Sequence, residues 1–80
     1  MIYNRIALLR TEKGISRQEL AEMVDVNYQT IGFIERGDYS PSLELAFKIA
    51  EVFGVDIGTV FSDQPFPPIF EQNIRRNNEQ

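Results

Sequence analysis

Ser16 and Glu19 stand just ahead of a short apolar run, and an Asp25-Val26-Asn27 break then opens a second run that closes on Gly37. That punctuation permits two short helices joined by a tight turn, and little else. Ser16 can accept a bond from a first-turn amide while Glu19 reaches back to the Ser16 amide, a capping box that starts a helix at Arg17. Leu20, Ala21 and Val24 form one narrow apolar stripe, with Gln18, Glu19 and Glu22 facing outward. Asp25 and Asn27 favour turn conformations, Val26 supplies an apolar plug, and Asn27 can cap a second helix beginning at Tyr28. Ile31 and Ile34 give that helix its buried face, and Gly37 its stop.

The outward face of the second helix is unusual. A solvated helix carries charges there, whereas this one shows Gln29 flanked by Tyr28 and Phe33, with Gly32 between them and Arg36 beyond. Such a face suits a major groove, where Gln bonds adenine bidentately and apolar groups meet thymine methyls. Plainer roles stand beside these. Gln29 can be a solvated residue, Tyr28 a cover for the turn, and Phe33 a core residue beneath the loop at Tyr39. Thr30 suits a phosphate contact. Arg17, at the positive end of its helix, and Arg36 either reach phosphate or stay in water. Tyr39 and Ser40 follow as backbone-contact candidates, unless Ser40 only caps the next helix.

The rest of the chain fits around this unit. A first helix runs from Asn4 to Lys13, carries Ile6 and Leu9, and ends at Gly14. Ser40-Pro41-Ser42 opens a fourth, with Pro41 tolerated at the first turn and Leu43, Ala46, Phe47, Ile49, Ala50 and Phe53 as its apolar face. Gly54 ends it, and Asp56 caps a short fifth helix carrying Ile57, Val60 and Phe61. Residues 1–66 form one domain and 67–80 a tail, with an apolar, proline-broken patch from Phe66 to Phe70 that packs on the body or on a partner subunit. Whether Ile69 to Arg76 forms a sixth helix stays open.

Eighty residues without cysteine or histidine offer no disulfide framework, thiolate metal site or thiol nucleophile. No acid/base constellation or phosphate-cradling loop is visible, so an enzyme, a metal, a cofactor and a small-molecule ligand are not expected. No signal peptide or spanning segment is evident, so a cytoplasmic protein without membrane contact is expected. The net charge of −4 is the wrong sign for a nucleic-acid binder read in bulk. Distribution qualifies it: Glu44, Glu51, Asp56 and Asp63 follow the two-helix unit, while Arg10, Lys13, Arg17 and Arg36 lie within or just before it.

The ordered landmarks Arg10, Gly14, Ser16, Leu20-Ala21, Thr30-Ile31, Glu35-Arg36-Gly37, Pro41, Ile49-Ala50 and Gly54 resemble those of Cro/CI-type helix-turn-helix domains of the xenobiotic-response-element family. The likeness covers Ile6 to Phe61. With its initial Met1-Ile2 and the segment YSPSLELAFKIA, the chain is most similar to the short cytolysin-repressor-type regulators. The resemblance implies an all-α, lambda-repressor-like five-helix domain with a small antiparallel strand pair from the two termini. It implies a structural pair between Arg10 and Glu35, and a homodimer whose interface includes Ile2, Leu8, Phe61 and Phe66. The function implied is repression through double-stranded DNA, with a palindromic operator read in the major groove. An antitoxin-like or antagonist role, binding another protein with DNA contact secondary, is the alternative that the acidic charge and apolar tail leave open.

Overall fold

The order of elements in the computed structural model, which describes residues 1–67, is β1 (Tyr3–Asn4), α1 (Ile6–Lys13), α2 (Arg17–Met23), α3 (Tyr28–Glu35), α4 (Leu43–Phe53), α5 (Ile57–Val60) and β2 (Phe61–Ser62). Side chains set most of the boundaries. Ser16 Oγ accepts from the Glu19 amide at 3.0 Å, and Glu19 Oε1 accepts from the Ser16 amide at 2.9 Å, completing the capping box of α2. Asn27 Oδ1 accepts from the Gln29 amide at 2.8 Å and starts α3. At the far end the Gly37 amide donates to Ile34 O (3.0 Å) and the Asp38 amide to Phe33 O (2.9 Å). This pair of bonds is a Schellman closure, and it needs Gly37 at φ +81°.

Several expectations shift in detail. Helix α1 begins at Ile6 rather than Asn4, because Asn4 pairs with Phe61 in the antiparallel ribbon β1–β2. Asn4 also holds the helix start from outside: its Oδ1 accepts from the Ile6 amide, and its Nδ2 donates to Ile34 O at 2.9 Å. The cap of α4 is Ser42, whose Oγ accepts from the Leu45 amide at 3.1 Å, so Pro41 precedes the cap and Ser40 plays no capping part. Asp56 occupies the N-cap position of α5 but makes no side-chain cap bond, and Phe61 belongs to β2.

The core is one cluster in which Ile6, Leu20, Ala21, Val24, Ile31, Ile34, Ile49, Ala50, Phe53 and Val60 meet, with Leu9, Val26, Leu45 and Phe61 packed against it. Every helix lends at least one side chain, and β2 adds Phe61. The helical stripes of α2 and α3 are thereby pressed together at their turn, where Asp25 adopts φ 60°. Leu43 and Phe47 do not join the core; they stand 69% and 54% exposed on the outer side of α4. The reason is geometric: Ala46, Ile49, Ala50 and Phe53 already complete one inward face, and Leu43 and Phe47 lie on the adjoining one. The expectations for the tail beyond residue 67 lie outside the described residues.

Candidate nucleic-acid interface

Helix α3 is fastened on its inner side alone. Ile31 and Ile34 are buried, and Glu35, at the last helical position, is clasped by two arginines. Arg10 Nε donates to Glu35 Oε2 at 2.8 Å while its Nη1 donates to Ile15 O at 3.1 Å. Arg17 Nε donates to Glu35 Oε1 at 2.9 Å. The Glu35 side chain is only 5% exposed, so it is a nearly buried charge satisfied from α1 and α2 at once. Two guanidiniums against one carboxylate leave a positive excess beside α3.

The outer side has no such fastening. Tyr28 and Phe33 are 54% and 47% exposed, and Gln29 is exposed between them. Phe33 therefore does not pack beneath the Tyr39 loop. Together with Arg17, Gly32 and Arg36 these residues line an open notch of about 300 Å³. Gly32 forms its floor and is itself covered, with the Arg36 guanidinium lying close over it. Thr30, half-buried, and Tyr39 border a second cleft on another flank of the helix, with Asp25, Ser42 and Lys48. Candidate backbone contacts thus stand on more than one side of α3: Arg17 by the notch, Thr30 and Tyr39 by the cleft. Ser40 is exposed but sits elsewhere, lining an apolar depression with Ile2, Pro41, Leu43, Ala46, Ile57 and Phe61.

That depression brings together Ile2 and Phe61, two of the residues that the resemblance implies for a dimer contact, and adds Leu43, which sequence reasoning placed in the core. Leu8 is half-buried on α1. Phe66 is drawn to the ribbon side, where the Arg5 guanidinium lies 4.1 Å from its ring. The bond from Arg17 to Glu35 and the contact between Arg36 and Phe33 were also missed. For the latter a signal existed, since residues three apart on a helix are neighbours. The former depends on how α2 crosses α3 and leaves no mark in the spacing.

Among the described residues no group of three or more metal-ligating side chains converges, and no helix is long and apolar enough to cross a membrane. A helix-turn-helix family model matches residues 6–60. An uncharacterized helix-turn-helix-type transcriptional regulator of Archaeoglobus fulgidus is 47% identical over 57 residues, spanning 71% of this chain and 81% of that protein. The transcriptional repressor RstR of the cryptic phage CTXphi, from Vibrio cholerae, is 35% identical over 63 residues, or 79% of this chain and 57% of that one. Among solved structures, a provisionally assigned DNA-binding protein from Bacteroides fragilis superposes with a TM-score of 0.70 at 31% identity, covering 78% of this chain and 100% of that chain.

Proposed function

The chain belongs to the helix-turn-helix family of DNA-binding transcriptional regulators, and from that premise we propose that it is a cytoplasmic, homodimeric repressor that reads a palindromic operator through the major groove. The observation that carries this reading is the exposed amide-and-aromatic surface of α3, Tyr28, Gln29 and Phe33, which the fold leaves outside the core. Lying in the groove, Gln29 bonds an adenine edge, and the two aromatics pack on base methyls and sugar edges. Arg17, Thr30 and Tyr39 fix the register on phosphates, the contacts that position without specifying; Ser40, in the apolar depression, does not join them.

Support for a pair of chains comes from the apolar surface along Ile2, Phe61 and Leu43, continued by Phe47 on α4. Leu8 and Phe66 are the remaining interface residues of the proposal. A two-fold pair places its two α3 helices in successive major grooves, about 34 Å apart along the duplex, and an approximate palindrome follows. Few phosphates face an unpaired cation, so affinity falls with added salt at a modest total slope, each neutralised phosphate adding about −0.9 in log K against log salt.

The test is a genome-wide selection of bound fragments with the wild type and with Gln29→Ala. Sequence-specific fragments are expected to collapse in the variant while weak general binding persists. Unchanged enrichment by a well-folded Gln29→Ala protein would remove Gln29 from the reading set, and no enrichment by the wild type would overturn the proposal.

A further inference from the structure

Arg36 closes α3, three residues after Phe33 and four after Gly32, so the three share one side of the helix. Its guanidinium carbon lies 5.0 Å from the centre of the Phe33 ring. Its Nε donates to Asp38 Oδ2 at 3.2 Å. Its Nη1 rests 3.4 Å from the point where a Cβ on Gly32 would stand. The side chain therefore folds back over bare backbone, beside an aromatic ring and braced by a carboxylate.

We infer that Arg36 is a base-reading residue that recognises a guanine, a step that rests on the reading above in which α3 occupies a major groove. The brace uses the Nε edge and leaves both terminal nitrogens to form the fork that matches guanine O6 and N7. Charge favours this acceptor over the backbone. Asp38, bonded to it at an exposed site, lowers the local positive potential, so that a phosphate anion is attracted less than to a free arginine and a neutral base edge is accepted without repulsion. Stacking on Phe33 restrains the fork and removes rotamers it would otherwise lose on binding. Gly32 completes the arrangement by leaving the helix surface open beneath the guanidinium: a Cβ there would stand 3.4 Å from Nη1, in ordinary contact, and a longer side chain would compete for the same space. Gly32, Phe33 and Asp38 act as positioning residues for Arg36.

The experiment uses the operator that the wild-type protein selects, with 7-deazaguanine replacing one guanine at a time, and compares wild type, Arg36→Ala, Arg36→Lys and Asp38→Asn by fluorescence anisotropy. Losing one bidentate base contact corresponds to roughly 5- to 150-fold in affinity. Because 7-deazaguanine lacks N7 but keeps O6, the wild type is expected to lose the lower part of that range, about 5- to 15-fold, at one guanine per half-site and little elsewhere. Arg36→Ala and Arg36→Lys should lose their preference for that guanine alone, with Asp38→Asn intermediate. Arg36→Lys keeps the charge and the stem, so it separates loss of the fork from loss of the fold, which circular dichroism monitors in each variant. Two results would overturn the inference: Arg36→Ala weakening all sequences evenly with a salt slope smaller by about 0.9, the mark of a phosphate contact, or folded Arg36 variants that keep the wild-type base preference. A wild-type protein that selects no sequence at all refutes the groove reading itself and this inference with it.

Discussion

Replacing Arg10 with methionine tests what locks the recognition helix to the body. The substitution keeps a long apolar stem but removes the guanidinium that bonds Glu35 at 2.8 Å and Ile15 O at 3.1 Å. Breaking a buried ion pair costs about 3 to 5 kcal/mol when the remaining charge is left alone. Here Glu35 keeps Arg17 at 2.9 Å, and because the Arg17 side chain is 49% exposed it offsets part of that cost. The expected loss for Arg10→Met is therefore about 2 to 3 kcal/mol. Arg17→Met alone, breaking a bond to a half-exposed partner, should lose no more than about 1 kcal/mol. With both arginines gone Glu35 is stranded, and the loss should reach about 3 to 5 kcal/mol, more than the two single losses together. For a chain of 80 residues whose whole stability is on the order of 4 to 12 kcal/mol, the first substitution is severe. It corresponds to a fall in melting temperature of roughly 10 to 20 °C. Urea titrations followed by circular dichroism, at one fixed protein concentration because self-association shifts the midpoint, supply the double-mutant cycle. Strict additivity, or a loss below about 0.5 kcal/mol for Arg10→Met, would refute a shared carboxylate as the lock.

Ser16→Ala breaks the capping box of α2 and is expected to cost about 1 kcal/mol in the same urea titration, with DNA base preference unchanged. Asp25 sits at φ 60°, so Asp25→Val should destabilise by about 1 to 2 kcal/mol, whereas Asp25→Gly should leave the thermal midpoint nearly unchanged or raise it. Phe47→Asp alters an exposed position of the proposed pairing surface. It should leave the circular dichroism spectrum intact while sedimentation velocity shows a shift from pairs to single chains. A protein that sediments identically with Phe47 or Asp at that site excludes Phe47 from the interface.

The two central helices were legible because their ends are written in local chemistry. Ser16 with Glu19, Asn27, and Gly37 each act through bonds to residues within four positions, so spacing alone reveals them. What depended on distant partners was harder to read. Asn4 looked like a helix start until its pairing with Phe61, across nearly the whole domain, drew it into a strand. In α4, Leu43, Ala46, Phe47 and Ala50 have the same i, i+3, i+4, i+7 rhythm as Ala46, Ile49, Ala50 and Phe53. Periodicity cannot choose between two overlapping faces; the packing of α4 on α1, α2 and α5, into the cluster of Ile6, Leu20 and Val60, does. The candidate reading residues on α3 followed from the same logic in reverse, since an apolar or amide group left over after the core is assigned points outward. The two-armed grip on Glu35 was only half foreseen: the partner on α1 comes with the family resemblance, and the one on α2 emerges from the helix crossing.

All the fastenings of α3, from Ile31 and Ile34 to Glu35 and the Asn4 amide that grips the Ile34 carbonyl, approach it from within. Folding therefore places little demand on Tyr28, Gln29 or Phe33. If α3 reads DNA as proposed, these three can be exchanged almost as interchangeable type in a fixed printing block, so that a library randomised there is expected to retain a common scaffold while altering the text it recognises. On that reading, new specificity is accessible to this domain by a few surface changes, without first disturbing the architecture that presents them.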